Sequence, residues 1–283
     1  MAIIELVNDN PDRKAMKPLP NTAFAVTFPA SPGLPKVKSV SESRYVAKMV
    51  ETSEEFAAVL SLRSDVFKRE LAGAEAGTFA NEFDFDEYDL RCEHIIVQEK
   101  KTGEAVGTYR LNSLESAGSP DGFYASQEFS IEDLPAEVLA EAVELGRACI
   151  AKDHRNSRVL FLLWKVLANY LVERRKRYLF GCCSIFTQEG RKAAKVLEQL
   201  RLDGYIHPAL VVGPRPDKVV IPAGFDPSAE ERVELPPLVS IYLRIGAKVC
   251  GEPAIDRDMK TIDYFVVFDL DSINPKYRKM FFG

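Results

Sequence analysis

Three stretches decide how this chain folds: Val143-Glu-Leu-Gly-Arg-Ala-Cys-Ile150, Ser157-Arg-Val-Leu-Phe-Leu-Leu-Trp164 and Tyr178-Leu-Phe-Gly-Cys-Cys-Ser-Ile-Phe186. The first and third are apolar runs of strand length, the first broken by Gly146 and Arg147. Between them Val159, Leu160, Leu163, Trp164, Leu167 and Leu171 make one broad apolar face at helical spacing, with Ser157 as the expected cap. Upstream, Tyr45–Val50 reads as a strand, and Ser53 caps a helix bearing Phe56, Val59, Leu60, Val66, Phe67 and Leu71. Cys92–Gln98 and Ala105–Leu111 are strands joined by Lys100-Lys-Thr-Gly103, a turn short enough for an antiparallel hairpin. Downstream, a helix over Glu189–Leu200 precedes late strands near Ser240–Lys248 and Ile262–Leu270. Strands first, then strand-helix-strand-helix, predict an α/β fold with a mixed sheet and helices on both faces.

Six of the seventeen prolines fall between Pro11 and Pro35, without helical or strand periodicity. Residues 1–44 are therefore expected to be a Pro-rich, basic, largely disordered arm on a domain spanning 45–283. Seven more prolines between Pro208 and Pro237 mark an irregular loop near 203–237. Up to Lys48, seven Lys/Arg face four Asp/Glu, a charge of +3 that leaves −8 for the remainder of a chain of net charge −5. An acidic body argues against nucleic acid as a partner. The longest apolar run, Val159–Trp164, is six residues, far short of the ~20 of a spanning helix. No secretion signal opens the chain, so the expected location is the cytoplasm. Five cysteines without a Cys-x-x-Cys argue against a disulfide framework and a zinc ribbon, and no metal site is predicted.

Common catalytic signatures are missing: no Gly-x-x-x-x-Gly-Lys-Ser/Thr, no Gly-x-Ser-x-Gly, no His-Glu-x-x-His and no dinucleotide glycine fingerprint. None of His94, His154 and His207 has Asp five positions on, so a histidine base of the His-x4-Asp type is not expected, and His94 reads as a hydrogen-bonded structural residue. The densest acidic cluster is Glu82, Asp84, Asp86, Glu87, Asp89 and Glu93, interleaved with Phe83, Phe85 and Tyr88 and opposed only by Arg91. It can hold an ammonium group, the aromatic rings lowering the local dielectric, or it is a solvated acidic loop with aromatic anchors. Arg110 stands inside a strand, and Glu144 and Arg147 stand three apart in another. Strand positions three apart share a face only across a bulge, for which Gly146 is suited and which frees a backbone N–H for an oxyanion; the other reading is a structural ion pair of Glu144 with Arg110 or Arg147.

Taken in order, Leu62-Arg63-x-x-Val66-Phe67, Asp84-x-Asp86-x-x-Asp89, Gly107-Thr-Tyr-Arg110-Leu and Glu144-Leu-Gly-Arg147 resemble the acyl-carrier-protein-dependent branch of the GNAT N-acyltransferases. Within it the chain is most similar to the ornithine N-acyltransferases that make lyso-ornithine lipid, often labelled hemolysin-like, through His154-Arg-Asn-Ser-Arg158, Tyr178-Leu-Phe-Gly-Cys182 and Ala247-Lys-Val-Cys-Gly-Glu-Pro253. The acyl-homoserine-lactone synthases share the same skeleton of Arg63, acidic triplet, Arg110 and Glu144/Arg147. The resemblance implies a GNAT-like, mixed, mostly antiparallel central sheet. It also implies transfer of a fatty acyl group, with or without a 3-hydroxyl, from acyl carrier protein to the α-amine of an amino acid, L-ornithine first among them, with no tightly bound cofactor.

Under that resemblance Glu144 and Asp86 are the candidates for base or amine binding, Asp84 and Asp89 for pocket electrostatics, and Arg63, Arg110 and Arg147 for positioning these acids or the substrate carboxylate. Arg155, Asn156, Ser157 and Arg158 stand where other GNAT enzymes have their glycine-rich pyrophosphate loop and are assigned to the phosphopantetheine arm. Cys149 reads as core. Arg174-Arg-Lys-Arg177 is a docking surface for an acidic carrier protein or a solvated helix end. The basic arm is expected to make peripheral contact with anionic membrane. The competing readings are acylation of glycine, tyrosine or another amine, synthesis of a homoserine-lactone signal, and a non-catalytic carrier-protein-binding module.

Overall fold

The computed structural model of the chain describes residues 35–71, 83–222, 224–225 and 232–283. The strands are β1 (Val40–Ser41), β2 (Tyr45–Met49), β3 (Glu93–Glu99), β4 (Ala105–Ser113), β5 (Ala142–Ile150), β6 (Tyr178–Ile185), β7 (Lys248–Val249), β8 (Ala254–Asp256) and β9 (Thr261–Asp269). The helices are α1 (Ser53–Arg63), α2 (Leu114–Ala117), α3 (Ala136–Ala140), α4 (Ser157–Glu173), α5 (Gly190–Leu202), α6 (Pro237–Ile245) and α7 (Pro275–Phe282). The strands build one sheet in the order β1-β2-β3-β4-β5-β6-β9-β7, with β8 also on β9. Every pair is antiparallel except β5 with β6. That parallel step is the one α4 makes possible, because parallel neighbours need a crossover connection. The expected mixed, mostly antiparallel sheet is thus the observed one.

Alternation along the strands sorts the core into two faces. Ile95, Val97, Tyr109, Leu111, Val143, Leu179, Cys183 and Tyr264 pack under Val159, Leu163, Trp164 and Leu167 of α4, together with α5, α6 and α7. On the opposite face α1 lays Phe56, Val59 and Leu60 over Ile96, and a second cluster joins Phe123 and Phe129 to Phe180, Cys182 and Phe265. Helices therefore cover both faces.

Two local features shape the centre of the sheet. The β4–β5 register runs Asn112↔Glu144 and Arg110↔Gly146 but then Thr108↔Cys149, a bulge. Arg147 carries the left-handed backbone there, at φ 49°, rather than the expected Gly146. The second feature is that β5 and β6 pair only over Ala142–Glu144 and Tyr178–Phe180, after which they part. Gly181 sits where they part, and a Cβ on it would lie 2.6 Å from the Leu145 carbonyl oxygen.

Several expectations are corrected. The strand near Ser240–Lys248 is mainly α6: Pro237 sits in its first turn, and Leu238, Tyr242, Leu243 and Ile245 are buried at helical spacing, leaving only Lys248–Val249 extended. Thr52 and Asn156, each one residue earlier than the expected Ser53 and Ser157, are the caps. Thr52 accepts the Glu55 N–H, and Asn156 accepts those of Arg158 and Val159. The helix expected to run to Leu71 leaves α-geometry after Arg63 and continues as a π-helical segment, Ser64–Leu71. The folded part also begins before Tyr45: Val40–Ser41 pairs with β2, and Arg174 and Asn169 hold the Pro35 and Lys38 carbonyls. The rest of the expected arm, residues 1–34, lies outside the described residues.

Because its Cβ would collide with backbone rather than a movable side chain, Gly181→Ala is expected to cost about 1–3 kcal/mol, read as a lower urea midpoint with an unchanged m-value.

Candidate active site

Arg63, the last residue of α1, is completely buried and is where the site begins. Its Nη1 and Nη2 donate to the two carboxylate oxygens of Asp89 at 2.6 and 3.0 Å, and its Nε donates to Asp84 at 2.8 Å. Asp86 caps the short 3-10 turn Glu87–Leu90, and Asp89 reaches back to the Asp86 N–H, a reciprocal capping box. Arg110, from the middle of β4, donates to Asp86 at 2.6 Å and to Asp89 at 3.1 Å. Arg147 reaches Asp86 at 3.1 Å and Asp84 at 3.3 Å. Three arginines and three aspartates thus close a charge-balanced network, the arrangement in which buried ions are tolerated.

Its electrostatics follow from that balance. Burial alone would raise the Asp84 and Asp89 carboxyls, but Arg63 outweighs it, with Arg147 acting on Asp84 and Arg110 on Asp89, and holds both below the usual carboxylate range. The Arg110 guanidinium lies 5.4 Å from the Tyr88 ring and 5.7 Å from that of Tyr124, and Arg147 lies 5.2 Å from Tyr124. The acidic stretch is therefore not a solvated loop at Asp84, Asp86 and Asp89. Glu93 is elsewhere, bound to Tyr170 and Arg174, and Glu82 lies outside the described residues.

Glu144 stands apart from this network and makes no ion pair with Arg110 or Arg147. Its two oxygens accept the backbone N–H groups of Tyr124 at 2.9 Å and Ala125 at 2.7 Å, at the start of the 3-10 turn Tyr124–Gln127, and Asn112 donates weakly at 3.5 Å. Burial raises its carboxyl above the usual value, the two N–H donors opposing. It occupies the last paired position of β5 before the strands part. The bulge brings Arg147 round so that both it and Glu144 serve the face where α1 packs.

The remaining assigned residues lie at the other end of β5 and the start of α4. Arg155 donates to the Ile150 carbonyl at 3.1 Å, while Asn156, Ser157 and Arg158 are exposed. Asn156 occupies two of the amides of the helix start, those of Arg158 and Val159. Most of the Arg174–Arg177 run is not a free docking surface: Arg174 pairs with Glu93, Lys176 with Glu115, and Arg177 with Asp269. Cys149 is core, packed near Leu62, Val66 and Phe67. His94 is a buried structural residue against Phe56, its Nε2 3.9 Å from Asp89 Oδ1; burial keeps it neutral, down to about 3.

Composition and spacing did not mark Asn112, Tyr124, Glu128 or Asp263. Glu128, Cys182 and Asp263, all buried, place one oxygen or sulfur each within 4.8 Å of one another, the one group among the described residues with the donors to hold a metal. Burial first, and the Asp263 charge next, push the Glu128 carboxyl up to about 9.

Residues 62–165 match the family model of the acetyltransferase (GNAT) domain, and this sheet, parting beside a buried carboxylate, is that of a GNAT-type acyltransferase. The L-ornithine N(alpha)-acyltransferase of Agrobacterium fabrum (strain C58) is 30% identical over 253 residues, 83% of this chain and 84% of that protein. The L-ornithine N(alpha)-acyltransferase of Rhizobium meliloti (strain 1021) is 28% identical over 267 residues, 89% of this chain and 88% of that protein. The chain belongs to the family of these L-ornithine N(alpha)-acyltransferases. Among solved structures, the CoA-dependent acyl-homoserine lactone synthase BjaI with SAM and isopentyl-CoA is similar at TM-score 0.47 and 12% identity, over 82% of this chain and 85% of that one. No helix among the described residues is long and apolar enough to cross a membrane.

Removing one member of the charge network leaves its partners buried and uncompensated, so Arg63→Ala is expected to lose about 3–5 kcal/mol by chemical denaturation. The acid side carries a sign. Asp84 and Asp89 sit below their unfolded values, so the stability they contribute is present above about pH 4 and is lost as pH falls below it. Denaturation midpoints followed from pH 5 to pH 2 are expected to fall in the wild type and to fall less steeply in Arg63→Ala.

Proposed function

We propose that this chain transfers a 3-hydroxyfatty acyl group from acyl carrier protein to the α-amine of L-ornithine, giving lyso-ornithine lipid. The observation that carries the reading is Glu144 at the mouth of the parted strands, in a chain whose relatives act on ornithine. The acceptor approaches from the α1 face and the thioester from the α4 face. The α-ammonium gives its proton to Glu144, whose raised carboxyl suits a general base. The freed amine attacks the thioester carbonyl carbon, a C–N bond forms, the C–S bond breaks, and the pantetheine sulfur leaves and takes up a proton. Backbone N–H groups of β5 beyond Glu144, on the side facing β6, are without a strand partner among the described residues and stabilise the oxyanion.

Asp86 is the most exposed of the three network aspartates, its side chain 24% accessible, and we assign it to holding the ammonium before the proton is lost. Asp84, Asp89, Arg63 and Arg110 keep that carboxylate in place, and Arg147 lies nearest the acceptor carboxylate. Arg155 and Arg158 serve the phosphopantetheine arm, with Asn156 and Ser157 shaping the helix start. The lipid product agrees with peripheral contact with the inner face of an anionic membrane.

Purified protein with 3-hydroxyacyl carrier protein and a pool of amino acids is expected to yield N-acyl-ornithine by mass spectrometry. Glu144→Gln is expected to lower kcat by about 10²–10⁴ and to remove the acidic limb of its pH profile. Amide formed on a different amino acid would correct the acceptor, and no amide with any donor would overturn the reading. In Asp86→Asn the KM for ornithine is expected to rise more than kcat falls.

A further inference from the structure

A cavity lies beside the point where β5 and β6 cease to pair. Its walls include Leu145 and Gly181, the residues next after the last paired positions Glu144 and Phe180, together with Trp164 of α4, Tyr242 of α6 and Phe268 of β9. It holds about 350 Å³ of empty space, open solvent included. No charged side chain lines it, and among the lining side chains only Trp164 and Tyr242 carry nitrogen or oxygen. Tyr242 is hydrogen-bonded to Tyr109, which is completely buried, the two hydroxyl oxygens 2.6 Å apart. We propose that the Tyr242 hydroxyl, held by Tyr109, recognises a 3-hydroxyl on the incoming acyl chain. This rests on the reading of the chain as an ornithine N-acyltransferase and names the residue that selects its donor.

The chemistry of the lining points to this occupant. An apolar wall without charge suits an alkyl chain and not the ammonium or carboxylate of the amino acid. Within that wall a phenolic hydroxyl donates one hydrogen bond and accepts others. The Tyr109–Tyr242 pair shares a single hydrogen bond, so each hydroxyl keeps unused capacity whichever of them donates. Tyr109 is also acted on by the Trp164 indole N–H, whereas Tyr242 has Tyr109 as its one hydrogen-bond partner among the described residues. A ligand hydroxyl, donor and acceptor together, completes Tyr242 in either orientation of the pair. A methylene in its place leaves a desolvated polar group incomplete.

Position agrees with chemistry. In a 3-hydroxyacyl thioester three bonds separate the hydroxyl oxygen from the carbonyl carbon, a reach of roughly 3–4 Å. A carbonyl held beside Glu144, on the side formed by Leu145 and Gly181, therefore sets the 3-hydroxyl within the cavity that Tyr242 lines. The Tyr242 ring is fixed edge-to-face against Trp164 and Phe268, with centroids 5.9 and 6.4 Å away, so its hydroxyl is held in place before the donor arrives.

The test compares two donors of equal chain length on the same acyl carrier protein, one with a 3-hydroxyl and one without, at saturating ornithine. Wild-type kcat/KM is expected to favour the 3-hydroxyacyl donor by about tenfold or more. Tyr242→Phe, which removes only the hydroxyl, is expected to bring that ratio to within about threefold of unity. Tyr109→Phe is expected to keep the ratio or raise it, because Tyr242 then has the substrate as its only partner. A merely structural pair would move both variants alike, and urea midpoints establish that each is folded. A wild-type ratio near unity, or a ratio unchanged in folded Tyr242→Phe, would overturn the assignment while leaving ornithine acylation standing. Should Tyr242→Phe not fold, loss of the ratio in Tyr109→Phe would overturn it. No amide with either donor would instead overturn the underlying reading.

Discussion

The pairing of buried Arg63 with Asp84 and Asp89 is the constraint on which the rest of the centre depends. A guanidinium without solvent contact is stable only where carboxylates meet its planar fork, and Asp89 does so through two near-parallel hydrogen bonds. That pairing ties the end of α1 to the 83–91 loop. Asp89 then fixes the Asp86 amide, and the Asp86 carboxylate is taken by Arg110 of β4 and Arg147 of β5. One loop is thereby held across two strands by charge. The network uses its negative charge internally, with Asp86 the most exposed of its aspartates and Glu144 held separately by two backbone N–H groups.

The sheet supplies the second half of the arrangement. β5 and β6 cease to pair directly after Glu144. Under the proposed function, acceptor and thioester approach from opposite faces and meet beside Glu144, with the start of α4 on the donor side. Beyond Glu144, the strands β6 and β9 bring Cys182 and Asp263 close to Glu128.

Much of this was legible in the sequence because it depends on periodicity and spacing. The strand-helix-strand around Ser157, the hairpin at Lys100–Gly103 and the possible bulge between Glu144 and Arg147 all follow from residue patterns that local physics enforces. The sequence misled where a pattern fits two structures. Residues 240–248 are apolar and β-branched enough for a strand, yet Pro237 starts a helix there. The run Arg174–Arg177 suggested a basic surface, but its partners Glu93, Glu115 and Asp269 are distant in sequence and become neighbours only in the fold. Glu128 and Asp263 went unread for the same reason. A lone charge in the otherwise uncharged opening of β9, Thr261-Ile-Asp263-Tyr-Phe265, was a usable signal.

The central claim is that the acyl group goes to the α-nitrogen of ornithine. The most direct measurement is fragmentation mass spectrometry of the amide formed from ornithine carrying ¹⁵N at the α-position alone. The acyl group is expected on the labelled nitrogen, with the terminal amine free. An acyl group on the unlabelled nitrogen, or an equal mixture of the two, would contradict the claim.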